Sequence, residues 1–386
     1  MAETTDLFIS LIKNCIVDTN DGDSDYQLLS EEQLKSILKL AKDHSLLPII
    51  ATELDKFSSN YSDGIKEELR NAQFSSLYSH EKLVYELESI CDVFEKEKIP
   101  YIKLKGSRIK LFYPEPWMRT SGDLDILVRE EDIPRAIDAL VSQLNYRKDK
   151  DNYHDIPLYA PSGILLELHF SIKEHMDNMD KVLIQVWDNS YRSSTDSFEY
   201  LQSNEFFIFH QIAHMAYHFV SGGCGIRPFI DVYLLRKKLE FDDAKVREFC
   251  RQAELETFYD CVLKVIEVWF GDRESDELTD MLSEFIFDGG TFGNQMNQLA
   301  VKENQSGNHF RYICSRIFVP YDHLVVNYPN LKKHKWLMPF YEVKRWTTIM
   351  DSKIRKKSMN EIKTSGTMDS KYVQTVGKLL DELDLK

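Results

Sequence analysis

Gly122-Asp123-Leu124-Asp125-Ile126-Leu127-Val128 is the stretch that decides how this chain is read. Its alternation predicts a strand, and side chains two apart on a strand point to the same side, so Asp123 and Asp125 share a face. Leu124, Ile126 and Leu127 anchor the strand and leave the two acids presented at one edge. Carboxylates held that close repel unless a cation lies between them. Hard divalent ions such as Mg²⁺ take oxygen ligands and favour triphosphate substrates.

Just upstream, Tyr101-Ile102-Lys103-Leu104 alternates and stops at Gly106-Ser107, the pattern of a strand running into a turn. Fifteen residues separate Ser107 from Asp123. Without a Cβ on Gly106, backbone amides can approach a phosphate closely, and a helix through Ile109, Leu111 and Phe112 would add its positive end. Ser107 can donate to the same oxygens or cap that helix; the two roles are compatible. Lys105 and Arg119 flank the turn and suit phosphate oxygens. A third acid is expected from Ile164-Leu165-Leu166-Glu167-Leu168-His169-Phe170. There Glu167 is bracketed by leucines, which is costly unless the acid is paired or metal-bound. It is either the third carboxylate of a two-metal site or a buried acid paired with Lys103, Lys105 or Arg147. His169 shares its face, as a group that orients an acid, a neighbour of the nucleotide, or a satisfied core histidine.

Outward from this centre, a helix with Ile133, Ala136, Ile137, Leu140 and Leu144 on one face follows the acidic strand. Strands near 155–160 and 164–170 join across Pro161-Ser162-Gly163. Strand–helix–strand–helix–strand–strand predicts an α/β (α+β) unit with a small mixed sheet over about residues 98–200. Residues 1–97 read as helical: Ser30-Glu31-Glu32-Gln33 is a capping box, and 65–98 carries a long apolar stripe without Pro or Gly. Residues 201–350 read as a second helical part, with helices over 205–220, 228–239 and 242–268 and an irregular, aromatic stretch over 318–339. The remainder, 351–386, reads as a polar tail with a break at Ser365-Gly366-Thr367.

Composition bounds the function. The 386 residues carry a net charge of −15 and 43% hydrophobic residues, which argues for a globular chain and against one that binds nucleic acid by neutralising phosphates. No run approaches the roughly 18 apolar residues of a membrane span. The acidic start lacks the basic region of a signal peptide, and six scattered cysteines without a C-x-x-C pair read as reduced thiols, so a cytoplasmic protein is expected. His210, His214 and His218 form an i, i+4, i+8 ladder without the H-E-x-x-H of a zinc site, and are expected to line the cleft. Arg227 and Asp231 form either a helical pair or a contact to nucleotide or acceptor. Asp21, Asp23, Asp25 and Glu32 mimic a calcium loop but place Tyr26 where glycine is required.

Gly106-Ser107 with Asp123-Leu124-Asp125-Ile126 resembles the signature of the nucleotidyltransferase superfamily, the fold of DNA polymerase β and kanamycin nucleotidyltransferase. Leu104-Lys105-Gly106, Arg119–Val128 and Glu167-Leu168-His169 resemble more narrowly the bacterial group of uncharacterised nucleotidyltransferases. His214–His218, Arg227–Asp231 and Trp336–Phe340 are similar to it too. The resemblance implies metal-dependent transfer of a nucleoside monophosphate, with AMP from ATP favoured, to an acceptor with release of pyrophosphate. It implies Asp123 and Asp125 as ligands of Mg²⁺ (or Mn²⁺), Glu167 as the third acid, and Gly106 and Ser107 as phosphate binders. The gap to Asp123 is longer than is usual there, and the extra residues hold Tyr113-Pro114-Glu115-Pro116-Trp117. A small-molecule or protein acceptor suits the acidic chain. A silent nucleotide-binding regulatory module, or an interaction scaffold, is the other class of reading.

Overall fold

The computed structural model describes residues 2–17, 29–149, 155–174, 176–291, 293–305, 321, 324–325, 328–332, 334–349 and 369–385. A seven-stranded mixed sheet is built from β1 (Tyr101–Lys103), β2 (Asp123–Val128), β3 (Arg147–Lys148), β4 (Asp155–Tyr159), β5 (Leu165–His169), β6 (Ser190–Arg192) and β7 (Glu199–Gln202). Its strand order is β3-β4-β5-β2-β1-β7-β6. β2 and β5 are parallel neighbours, with Asp123 opposite Leu165, Asp125 opposite Glu167 and Leu127 opposite His169. The β4–β5 hairpin turns through Pro161-Ser162-Gly163, where Gly163 takes the positive φ of 87° that the turn needs. β3, β6 and β7 are additions to the strands expected from sequence.

The pleat divides the sheet into two unlike faces. Leu124, Ile126, Val128, Leu166 and Leu168 point into an apolar core with Leu87, Ile90 and Phe94 of α4 (Asp63–Lys96) and Ala136 and Leu140 of α6 (Ile133–Leu144). Asp125, Glu167 and His169 point the other way. Buried apolar area of this kind contributes about 25 cal/mol per Å², so a one-residue slip of β2 or β5 would exchange leucines for carboxylates in the core. Hydrophobicity on one face thus fixes where the acids lie on the other.

The N-terminal helices are α1 (Ala2–Val17), α2 (Glu31–Asp43) and α3 (Leu47–Asp55), followed by α4. Ser30 caps α2 with the reciprocal bonds of a capping box, Ser30 Oγ accepting from the Gln33 amide and Gln33 Oε1 accepting from the Ser30 amide. Behind β1, α5 (Gly106–Ile109) is a single turn continued as a 3-10 turn through Phe112. After β5 come α7 (Asp177–Leu183), α8 (Asn204–Val220), α9 (Arg227–Lys238), α10 (Asp243–Gln252) and α11 (Glu256–Phe270). The single helix expected over 242–268 is therefore two helices. Glu254 at the junction adopts φ 57°, which ends α10 without Gly or Pro.

The chain divides into two units. The first holds residues 1–217 and 225–280, with the whole sheet and α1 packed on α3 and α11. The second holds 218–224 and 281–386, including most of α12 (Glu277–Gly289), α13 (Gln295–Gln305), α14 (Met338–Ile349) and α15 (Ser370–Glu382). In this second unit α15 packs on α13 through Val376, Leu379 and Leu380, so part of the expected polar tail is an amphipathic helix. The break at 365–367, most of the expected calcium-loop mimic and Cys314 lie outside the described residues, as does much of 318–339. Described parts of that last stretch include two 3-10 turns. The five described cysteines are buried thiols outside any disulfide. No helix among the described residues is long and apolar enough to cross a membrane.

Candidate active site

The register of β2 on β5 sets Asp125 and Glu167 side by side, with His169 one pleat on. One ligand atom from each of Asp125, Glu167 and His169 lies within 4.8 Å of the others. His169 Nε2 is 3.1 Å from Asp125 Oδ1 and 3.5 Å from Glu167 Oε2, so the imidazole lies between the two acids. Lys105 Nζ approaches Asp125 Oδ1 to 3.6 Å. The Lys105 backbone adopts φ 39°, a strained value for a residue with a side chain, immediately before Gly106. Asp123 begins β2 and accepts a 3.0 Å bond from Ser121 Oγ.

These neighbours drive the two aspartates apart. Burial alone would raise Asp125, but the Lys105 ammonium and the bond from His169 outweigh it and hold the carboxyl far below its ordinary range. Asp123 is raised, by burial first and then by repulsion from Asp125. Burial presses Lys105 down, yet Asp125, Glu174, Glu167 and Asp123 together hold it above its usual value. His169 is likewise lifted, its bonds to Asp125 and Glu167 overcoming burial. The result is an ionised Asp125 beside an Asp123 whose charged form is disfavoured. Two carboxylates and an imidazole at this spacing suit a divalent ion such as Mg²⁺ or Mn²⁺.

α8 closes over this face. His214 Nδ1 is 2.8 Å from Glu174 Oε1, and burial followed by the charge on Lys105 keeps the imidazole well below its ordinary pKa. His210, fully buried, is pushed down to about 3 by the same two causes. Two members of the histidine ladder are thus neutral groups near the acids, while His218 belongs to the second unit. Glu174 carries no motif; only its place a few residues beyond β5 could have marked it.

The long segment between Gly106-Ser107 and Asp123 is clamped along its length. Arg119 donates through Nε to Asp231 Oδ1 at 2.9 Å and through Nη2 to Asp231 Oδ2 at 2.8 Å. Tyr113 donates to the same Asp231 Oδ1 at 2.7 Å. Ser76 of α4 donates to the Trp117 carbonyl at 2.6 Å, and Thr120 to the Ser45 carbonyl at 3.2 Å. Arg227 donates to the Thr120 carbonyl at 3.0 Å. Asp231 therefore serves Arg119 rather than forming the helical pair with Arg227 that the spacing suggested. Arg119, expected beside phosphate oxygens, commits two donors to Asp231 and rests its third nitrogen against Gly106. A Cβ on Gly106 would lie 2.5 Å from Arg119 Nη1, so a larger residue there would have to displace the guanidinium.

Beside Asp123 opens a cavity of about 800 Å³, walled by α4, the α2–α3 junction and residues 106–124. Gly106, Ser107 and Asp123 line it, together with Lys110, a residue not anticipated although it lies one helical turn beyond Ser107. Lys110 is 6% exposed. Burial, Arg119 and Lys103 together lower its pKa.

A family model described as "Uncharacterised nucleotidyltransferase" matches residues 30–271 of this chain. No curated protein and no solved structure gives a significant match.

Proposed function

The chain belongs to the uncharacterised nucleotidyltransferase family, and from that premise we propose that it moves a nucleoside monophosphate from an NTP to an acceptor with release of pyrophosphate. AMP from ATP is the favoured group, the acceptor a small molecule or a protein. The observation that carries this reading is the pairing of Asp125 with Glu167 across β2 and β5, with Asp123 one pleat away beside the Gly106-Ser107 turn.

Asp123, Asp125 and Glu167, with His169 beside them, would hold Mg²⁺ or Mn²⁺. Such an ion, when bound, stabilises phosphoryl charge and lowers the pKa of an attacking hydroxyl. The protein's own part is positional. His169 fixes the Asp125 carboxylate, Ser121 fixes that of Asp123, and Ser107, Lys105 and Gly106 sit where phosphate oxygens need donors and room. Neutral His214, held by Glu174, keeps a second ring close to Asp125 without adding a positive charge to the site.

Pyrophosphate release from each of the four NTPs, with Mg²⁺ or Mn²⁺ and a pool of metabolites and proteins as acceptor, tests the reading. Release that requires the metal and is lost in Asp123→Asn and Asp125→Asn supports it. Loss of an outer partner of a metal site costs about 10–100-fold, so a direct ligand should cost more than about 100-fold. The close approach of Lys105 to Asp125 favours one second reading, a silent nucleotide-binding module whose acids are already neutralised. NTP binding without turnover on any acceptor would select it. No metal-dependent NTP binding at all would remove both readings.

A further inference from the structure

We propose that the N-terminal helices form half of the donor-nucleotide site: the cavity between α4 and residues 106–124 holds the NTP, and the acceptor approaches from the Glu167 side. The proposal rests on the transferase reading above and adds where each substrate lies. The cavity's volume of about 800 Å³ falls within the roughly 300–1,000 Å³ of small-molecule sites.

Two buried polar groups in its wall point to an anion. Lys110 and Ser107 are 6% and 7% exposed, and among the described residues neither side chain has a hydrogen-bond or ion-pair partner. The Lys110 ammonium, set in the cavity wall, is disfavoured first by burial and then by repulsion from Arg119 and Lys103 that Glu81 only partly offsets. Both groups line the cavity together with Gly106, whose missing Cβ leaves room for the Arg119 guanidinium. A phosphate tail supplies the charge and the acceptor oxygens that Lys110 and Ser107 lack.

The α4 wall of the cavity suits a nucleoside. Asn71, Ser75 and Ser79 recur every four residues along α4 and so line one edge of the helix facing the cavity. Their short polar side chains offer hydrogen bonds to a base or ribose and take up little space. In-line displacement at phosphorus puts the entering and leaving oxygens on opposite sides. Asp123 lines the cavity, whereas Asp125, Glu167 and His169 do not. With the leaving pyrophosphate at Lys110 and Ser107, the entering hydroxyl must therefore come from beyond Asp123, past Glu167.

The test is binding of labelled ATP and AMP in the presence of Mn²⁺ to the full chain and four variants. Ser75→Trp and Ser79→Trp fill the cavity from exposed positions on α4, Lys110→Met removes the ammonium, and Ser89→Trp on α4 outside the cavity is the control. Expected results are an ATP affinity at least tenfold weaker in both cavity tryptophans, with the control and Mn²⁺ binding unchanged. Lys110→Met should weaken ATP at least tenfold and AMP less than threefold. ATP binding that still needs Asp123 but ignores both tryptophans would overturn this placement and leave the transferase reading standing. Absence of metal-dependent NTP binding to the unaltered protein would overturn the two together.

Discussion

Gly106→Ala is the substitution with the most to say about how the turn is held. The added Cβ would lie 2.5 Å from Arg119 Nη1, where ordinary contact begins at about 3.4 Å, so the guanidinium must retreat by about 0.9 Å. An unpinned arginine would yield easily. This one is fixed by bonds of 2.9 and 2.8 Å to Asp231, so a shift of that size strains a pair that holds it in place. Overpacking costs about 1–3 kcal/mol, and a charge-assisted bond is worth about 1.5–3 kcal/mol, so Gly106→Ala should destabilise the first unit by about 2–3 kcal/mol. Asp231→Asn alone should cost about 3–5 kcal/mol, because it leaves a buried guanidinium without its counter-charge. In the Asp231→Asn background the guanidinium is free to move, and the alanine should then cost less than about 1 kcal/mol. The assay is a double-mutant cycle by urea denaturation followed by circular dichroism. Additivity of the two substitutions within about 0.5 kcal/mol would refute the claim that Asp231 pins Arg119 over the turn.

Other expectations follow from the same geometry. Lys105→Met removes the ammonium beside Asp125 and should destabilise metal-free protein by about 2–4 kcal/mol, with Mg²⁺ restoring more stability to the variant than to the parent; urea melts with and without chelator read both quantities. His210 has a folded pKa of about 3, below the ordinary 6.5, so below 6.5 the unfolded chain takes up a proton that the folded one refuses. Stability should therefore fall as pH drops from about 6.5 towards 3, and His210→Gln should flatten that part of the denaturation profile. Asp125, held far lower than an ordinary carboxyl, adds a separate loss below about pH 4. Glu254→Gly, which relieves a side chain at φ 57°, should raise the melting temperature, with a gain of about 0.5–1 kcal/mol, whereas Glu254→Val should lower it.

What the sequence discloses is what depends on near neighbours along the chain. The Ser30 capping box, the alternation of β2 and the hairpin at 161–163 are local patterns, and each element forms where its pattern lies. β7 escaped notice because Glu199-Tyr200-Leu201-Gln202 follows a polar loop and owes its strand to parallel pairing with β1. The α10–α11 break is hidden because Glu254 does a task that glycine would advertise. In the site, Asp123, Asp125, Glu167 and His169 announce themselves by period two on apolar strands. Lys110 and Glu174 do not, since their significance arises from partners or spaces contributed by distant segments, and Asp231 is visible only beside Arg227 while its bonded partner, Arg119, lies 112 residues away. Asn71, Ser75 and Ser79 look like any solvated helix edge until the 106–124 segment is folded over them.

The distance along the chain between Arg119 and Asp231 bears on how the protein is made. The two are 112 residues apart, so at about 5–20 residues per second a ribosome needs roughly 6–22 s to deliver the acid after the arginine. For most of that interval β1, α5 and β2 are all synthesised, but the guanidinium that must settle over Gly106 has no counter-ion. The nascent sheet can pack its leucines against α4 while the phosphate-side turn stays unlocked, and a fragment ending before α9 would remain in that condition permanently. For anyone expressing pieces of this chain, the shortest useful unit therefore runs past Asp231, well beyond the last strand.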